Sequence, residues 1–518
     1  MSAEQQVLMV AGEQPAEAPS STTPPVSPGG RKPRLKPVNR QQICFRVIDP
    51  ERLVGEDHPV RAIWDLLGRL DLRRFYTGIQ AVEGWPGRDR SDPRVLIALW
   101  LYALSRGVRE ARALDEWAQY EPGCQWLLGL GRINYHTLAD FVTAHAAALD
   151  ELFVQLLQVL MSEGLADLQR VAHDGTKIRA AASRASFKRE ERLAECRKLA
   201  EEHWAALQQE PAGELPAARR KAQERAAREW RERVRRAEAE LQRQQAEKAP
   251  AEPAEVKASV TDADAHIMRQ GDGGFAPSYN APISTDSAHG VVVAYEASPA
   301  GEDSRELQPA LERVEQNSGR RPAQILVDGS YTTRQNIIET AEGRSELIGS
   351  LGENRSHRKL ERHGVSPEFF SEHFVYEAER DGFTCPAGKF LPYQNRKQLV
   401  GATEKHYQAP ASDCGACAFR AQCCPQAKRG RMVIRMEEDA KVAAFRKKMQ
   451  GPEYQAIYRQ RAPGAEFSNA CLKEKRRLRR FLRRGRTKVH AELAWACLSC
   501  NVAIWTRCVW KVSLQVAT

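Results

Sequence analysis

The chain has 518 residues, with 78 Lys and Arg against 67 Asp and Glu and a formal charge of +11. The length suggests roughly three folded units. The charge excess sits in blocks, which favours a polyanionic partner, nucleic acid ahead of membrane or acidic protein. The opening MSAEQQVLMVAGEQPAEAP carries acids and lacks a long apolar core, unlike a secretory signal. No apolar run approaches the ~20 residues of a membrane span, so the chain is expected in the cytoplasm, away from membranes. Its 12 cysteines then point to metal ligands or buried thiols before disulfides.

Residues 1–42, rich in Pro, Ser, Thr and Gly and ending near the basic RKPRLKPVNR, cannot bury enough apolar surface to offset chain entropy; a disordered basic arm is expected. Residues 43–165 have helical apolar spacing, as in RVLIALWLYALSRG and LADFVTAHAAALDELFVQLLQVLMSEG, broken at GWPGRDRSDP and EPGCQW. This predicts an all-α domain. Within it, REARALDEWAQY, a Gly-containing break and a helix starting near Asn134 or Thr137 are compatible with a helix-turn-helix on DNA and equally with plain packing.

Residues 166–350 are predicted to form a mixed sheet flanked by helices, an α/β arrangement. LADLQRVAHDGTKI has strand character with Asp174 toward its end, YNAPISTDSAHGVVVAYEASP predicts two strands around a polar turn, and AQILVDGSY a strand ending at Asp328. SELIGSL is a further short strand, and EDSRELQPALERVEQNSG a helix capped by Asp303 or Ser304. Residues 186–253 interrupt the sheet with charge-laced helical sequence divided at EPAGELP, expected as two antiparallel helices.

Acids at the carboxyl ends of strands in one sheet can be neighbours in space although distant in sequence. Asp174 and Asp328 fit that placement, and paired hard oxygen ligands bind Mg²⁺ or Mn²⁺, two of which ~3.5–4 Å apart can hold the attacking and leaving oxygens of a phosphoryl transfer. Such sites usually need a third acid. Glu466 precedes a cationic run from Lys473 to Lys488 and follows Pro463, which suits the first turn of a helix. The bland alternatives are dipole stabilisation by a Glu early in a basic helix and simple turn roles for the two Asp-Gly pairs. Asp262, Asp264 and Asp286 are kept as secondary candidates, with local backbone bonding the expected role of Asp262 and Asp264.

HDGTKIRAAASRASF, DADAHIMRQGDGGFAPSYN, LVDGSYTT and then Tyr458-x2-Arg461-x4-Glu466-x6-Lys473 follow in an order that resembles the DDE transposases of bacterial insertion sequences. That family's last signature is Tyr-x2-Arg-x3-Glu-x6-Lys, so this chain has one extra residue between Arg461 and Glu466. The resemblance, covering about Ile43 to Val509, implies an RNase H-like catalytic fold with helical insertions, completed by C-terminal helices in residues 441–518 and preceded by the all-α domain, here DNA-binding. It implies Asp174, Asp328 and Glu466 as catalytic ligands of Mg²⁺ or Mn²⁺, cleavage at transposon ends and attack of the freed 3′-OH on target DNA. Tyr458, Arg461 and Lys473 would lie near the cut, with Arg476, Arg477 and Arg480 on phosphates. Double-stranded DNA, a homo-oligomer on DNA and a nucleoid location are expected. A nuclease that does not join strands and a catalytically idle DNA-binding descendant are the alternatives.

Residues 351–440 form a Cys-rich insertion. FTCPAGKFLPY and ASDCGACAFRAQCC set Cys385 ahead of Cys414-x2-Cys417 and Cys423-Cys424, a set able to bind structural Zn²⁺ through Cys385, Cys414, Cys417 and Cys423, or to remain free thiols. Cys497 and Cys500 lie in helical apolar sequence and are expected as buried thiols.

Overall fold

The computed structural model describes residues 47–81, 89–209, 216–247, 256–350, 355–426 and 429–517. The chain divides into Met1–Asp49 and Pro50–Thr518; the expected arm at 1–42 lies outside the described residues. In the larger unit, helices α1 (Pro59–Leu67), α2 (Arg73–Tyr76), α3 (Pro93–Ser105), α4 (Ala111–Ala118), α5 (Pro122–Leu128), α6 (Tyr135–Ala144) and α7 (Ala146–Ser162) come first. Local chemistry sets their starts. Asp92 accepts the Arg94 N–H ahead of Pro93, and Asn134 accepts the Thr137 N–H at 2.9 Å. The short α5 intervenes where a plain break was expected between α4 and α6.

Strand β1 (Arg170–Arg179) leads to β2 (Phe187–Lys188), the long helices α8 (Glu190–Gln209) and α9 (Ala217–Ala246), β3 (Ala258–Ser259), β4 (His266–Arg269), β5 (Phe275–Asp286) and β6 (Val292–Tyr295). Then come α10 (Leu307–Ser318), β7 (Gln324–Val327), α11 (Arg334–Glu342) and β8 (Glu346–Gly349). The sheet order is β4-β5-β1-β7-β8, with β6 also against β5. β1 runs antiparallel to β5 and parallel to β7, which is parallel to β8. The unbroken apolar Ile325, Leu326 and Val327 are fully buried, as a strand covered on both faces requires. Asp303 does not cap α10; it lies in a preceding 3₁₀ turn, Asp303–Glu306.

Residues 355–438 carry α12 (Arg355–Arg362), β9 (Val375–Glu377), β10 (Gly382–Thr384), β11 (Phe390–Leu399), β12 (Ala402–Gln408), α13 (Ala411–Gly415), α14 (Arg420–Cys423) and β13 (Met432–Glu438), whose strands form a second, antiparallel sheet with its own core. The chain ends with α15 (Ala440–Gln450), α16 (Pro452–Tyr458), α17 (Arg461–Ala470), a π-helical turn Cys471–Lys475, α18 (Arg486–Trp505) and α19 (Lys511–Ala517). Nearly every side chain of α18 is buried, because α3, α6, α7 and β6 surround it. Trp495 donates to the Val142 carbonyl at 3.2 Å, and Asn501 pairs with both backbone groups of Val292. The N-terminal helices, the central sheet and α18 therefore share one core. No single described helix is long and apolar enough to cross a membrane.

Candidate active site

Pairing of β1 with β7 stops at Ala172 opposite Leu326. Continuing that register by two residues sets Asp174 beside Asp328, on strands ~4.8 Å apart. The consequence is electrostatic. Burial and then the Asp328 charge push the Asp174 carboxyl above the usual range, while Arg461 and the Gly175 N–H oppose the shift. Asp174 Oδ1 accepts the Gly175 N–H at 3.0 Å and Oδ2 accepts Asn469 Nδ2 at 3.3 Å. Asp328 is fixed by its own turn, accepting the Ser330 N–H at 2.7 Å and the Ser330 hydroxyl at 2.5 Å.

Behind Asp174 lies a polar shell that sequence reasoning missed. Asp303 Oδ1 accepts Lys177 Nζ at 2.5 Å and Asn280 Nδ2 at 2.8 Å. A Cβ on Gly175 would stand 2.7 Å from that Oδ1 and 2.9 Å from both Asn280 Oδ1 and the Tyr331 hydroxyl, so only glycine allows the approach. Burial and the charges of Asp303, Asp174 and Asp328 push the Tyr331 hydroxyl far up, keeping it neutral. His173 packs edge-on against Tyr331, contacts Ser284 Oγ at 2.9 Å and is held neutral by burial, down to about 3. The only early signal was that Asp303 was an acid near a helix start.

Helix α17 lies against β1 and β5. A Cβ on Gly464 would be 3.1 Å from that of Ala172, so the glycine lets the helix backbone settle close to the strand. This delivers Asn469 to Asp174. Glu466, one turn earlier, is exposed and makes no hydrogen bond or ion pair with the described residues. Lys473 is half-buried, its ammonium lowered by burial and by Arg479 while Asp174 opposes the change. Arg461, whose charge is felt at Asp174, lies 6.0 Å from the ring of Tyr458. Asn469, Arg461 and Lys473 thus converge on Asp174, and Glu466 stays at the rim.

Among the described residues, no group of three or more His, Cys, Asp and Glu is arranged to hold a metal ion. The Asp174–Asp328 pair supplies two hard ligands whose mutual repulsion Arg461 offsets only in part, a donor set suited to a divalent cation. The third ligand is not in place.

The cations after Lys475 do not continue a helix. Arg477 has a positive φ of 54° and the chain runs irregularly to Arg486. Arg476 is buried, donates to the Ser499 carbonyl at 2.8 Å and is pushed down to about 10 by burial. It is a structural residue, contrary to the phosphate contact expected of it; Arg477 and Arg480 are exposed. The loop lengthens the sheet, since Arg179 N–H donates to the Arg479 carbonyl and Phe481 N–H to the Arg179 carbonyl. Asp262 accepts the Tyr279 hydroxyl at 2.7 Å and the Gly485 N–H at 3.1 Å, and Asp264 the Arg486 N–H at 2.8 Å. Their backbone partners are therefore remote in sequence. Asp286 accepts the N–H groups of Leu168 and Ala288 at 2.9 Å, a purely structural role.

Cys385, Cys414, Cys417, Cys423 and Cys424 line one pocket. Cys385 Sγ accepts the Lys389 N–H at 3.2 Å and Cys414 Sγ the Arg431 N–H at 3.3 Å, while the Arg431 side chain is buried beside them. The thiols are gathered without being closed around a common point. Cys500 is not a free thiol; it is bonded to Cys471, joining the π-helical turn to α18. Cys497 is free and buried.

A family model described as Transposase DDE domain matches residues 384–504, a span that includes Glu466 and Lys473. No curated protein matches the chain. A solved structure described as the cryo-EM structure of piggyBac transposase synaptic complex with hairpin DNA aligns with a TM-score of 0.28 and 8% identity, over 88% of this chain and 76% of that chain. At so slight a likeness nothing is drawn from it.

Proposed function

We propose that the chain is a DDE transposase that cleaves DNA at transposon ends and joins the freed 3′-OH to target DNA, with an RNase H-like catalytic domain and Asp174, Asp328 and Glu466 as its acids. The observation that carries this reading is the Asp174–Asp328 pair, with Asp174 in the middle of β1 where its parallel pairing with β7 ends and Asp328 just past the end of β7, and with Asn469 of the Glu466-bearing helix bonded to Asp174. The sheet order, with three antiparallel strands continued by two parallel ones, supports the fold assignment. The family-model match over residues 384–504 supports the reaction class.

Asp174 and Asp328 would hold a divalent cation, Mg²⁺ or Mn²⁺, with Glu466 joining them by a rotation of its exposed side chain when DNA enters. Bound there, the metal would supply charge stabilisation at the phosphorus centre and an activated oxygen nucleophile. The protein's own part is orientation. Asn469 fixes one oxygen of Asp174, Ser330 fixes one of Asp328, and Arg461 and Lys473 meet the scissile phosphate with positive charge. Arg477 and Arg480 hold flanking phosphates, and handling two ends together calls for a homo-oligomer. The gathered thiols and their N–H···S bonds favour a structural Zn²⁺ in the Cys pocket.

The exposed position of Glu466 favours a second reading, in which the protein binds DNA and its acids are idle. End-containing DNA incubated with Mg²⁺ separates the two. Metal-dependent cutting, lost in Asp328→Ala with binding retained, supports the transposase; binding without cutting by the wild-type chain overturns it. Joined products distinguish a transposase from a simple nuclease of the same fold.

A further inference from the structure

The hairpin of α8 and α9 plays no part in the site described, yet its two helices are electrically unlike. Cations outnumber acids on α9, whereas acids outnumber cations on α8. Where the helices face each other the charges are matched, Arg231 with Glu201 at 2.8 Å and Arg197 with Glu238 at 3.6 Å. On the outer face they are not. Arg219, Lys221, Arg225, Arg228 and Arg233 are exposed and have no acid within ion-pair distance among the described residues. Lys221, Arg225 and Arg228 follow at spacings of four and three, where like charges oppose helix formation. Arg228 also lies 5.8 Å from the ring of Trp204 on α8, and Glu224, Glu229 and Glu232 are interleaved with the cations, yet the helix keeps an excess of positive charge that suits a polyanionic partner.

Placement identifies that partner. The hairpin is rooted beside the basic loop, because Glu240 and Gln244 bond His266 at 2.7 and 3.0 Å, and the Val260 N–H donates to the Ser186 carbonyl two residues from Asp262, which holds Gly485. From that root α9 extends 30 residues, about 45 Å at 1.5 Å per residue. Lys221 lies about 30 Å along the axis from Glu240, close to one turn of B-DNA at ~34 Å. The exposed cations are therefore spread along α9 from about 10 Å (Arg233) to about 30 Å (Lys221 and Arg219) from Glu240.

We propose that the exposed face of α9, through Lys221, Arg225 and Arg228 with Arg219 and Arg233, tracks the phosphate backbone of duplex DNA that extends beyond the basic loop. The contact is sequence-independent. It lengthens the footprint and adds salt-sensitive affinity without touching the reacting phosphate. The inference rests on the reading of Asp174 and Asp328 as a DNA-processing site, but binding and cutting are separable.

The test is equilibrium binding of the full chain to a random-sequence linear duplex of ~60 base pairs across a salt series, with hydroxyl-radical footprinting. The variants are a Lys221→Glu, Arg225→Glu, Arg228→Glu triple and the milder Gln triple at the same positions. Each released phosphate contact contributes a slope of about 0.9 in log K against log salt. The expected result is a fall in slope of about two to three for the Gln triple, a larger affinity loss for the Glu triple, and protection shortened on one side. Unchanged slope and footprint in both, with thermal unfolding as in the wild type, overturns the proposal. So does self-association lost in the variants while DNA binding is intact. Wild-type binding with a hairpin-dependent slope but no Mg²⁺-dependent cutting sinks the transposase reading and leaves this one standing.

Discussion

Arg109 and Glu492, 383 residues apart in sequence, form a buried ion pair at 2.5 Å that fixes the backbone of the basic loop. Arg109 also donates to the carbonyls of Arg477 and Arg480 at 2.6 and 2.7 Å, and Glu492 accepts the N–H groups of Leu482 and Arg483 at 3.1 and 3.2 Å. One pair from the first and last helical segments thus presents the exposed cations of the loop between them. Removing one member strands a buried charge, which costs about 3–5 kcal/mol. Glu492→Gln is expected to lower stability by that order in urea unfolding and to weaken DNA binding because the loop loosens. A variant with wild-type midpoint and affinity contradicts this role.

His490 makes stability depend on pH. It lies 3.1 Å from Asp150 and 3.3 Å from Glu296, and the hydrogen bonds and charges of these acids, acting against burial, raise it to about 9. Arg486 and Arg313 also face Glu296, on Oε1 and Oε2, and against burial Glu296 is held down to about 2 by His490 first and then by these two cations. A group whose folded value exceeds its unfolded ~6.5 stabilises fully below pH 6.5, and that contribution is lost as pH rises through about 9. The interval corresponds to about 3 kcal/mol as an upper bound. Wild-type stability is expected to fall from pH 6.5 to 9, and His490→Gln to flatten that slope while lowering the plateau.

The central strands were legible from their short apolar runs, and β7 does stop just before Asp328-Gly329, whereas β1 continues through Asp174-Gly175 to Arg179 because it stays paired with β5. The basic segment was not. A run of cations has no apolar period, so nothing in it distinguishes a helix from an irregular loop, or the buried Arg476 from the exposed Arg480. Asp303 and Tyr331 were missed because their role appears only when the chain after β6 folds back beside Gly175. The Cys471–Cys500 pair joins residues 29 apart whose helices cross only in the tertiary fold.

Arg476 and Arg480 offer a direct test of that distinction. Arg476 bonds the Ser499 carbonyl inside the core, whereas the Arg480 side chain is exposed and its carbonyl accepts from Arg109. Arg476→Met is expected to change stability and leave the salt dependence of DNA binding at the wild-type slope. Arg480→Met is expected to keep stability and reduce the slope by about one. The reverse pattern would place Arg476 at the phosphates after all.

Gly175 is where strand and shell meet most tightly. Gly175→Ala drives a methyl into the Asp303 carboxylate, Asn280 and Tyr331, and overpacking of this kind costs about 1–3 kcal/mol. The displaced group is the support of Asp174, so cleavage is expected to fall well beyond what the stability loss explains. Cleavage reduced only in proportion to the unfolded fraction would assign the shell to folding alone.

Two carboxylates held side by side should bind a divalent cation in the absence of DNA even with Arg461 and Lys473 near one of them, and the Asp174–Asp328 pair provides a readout independent of cutting. A ligand present at 100 times its Kd stabilises a fold by about 2.7 kcal/mol. Mg²⁺ or Mn²⁺ is therefore expected to raise the melting temperature of the wild-type chain and to leave Asp328→Ala unmoved. Glu466→Gln separates the two stages of assembly. If Glu466 joins only when DNA is bound, the variant keeps most of the metal-induced shift yet loses cleavage. Loss of the shift in Glu466→Gln would mean that the three acids already act together in the free protein, and a wild-type chain indifferent to both metals would leave the pair without the ion that its repulsion calls for.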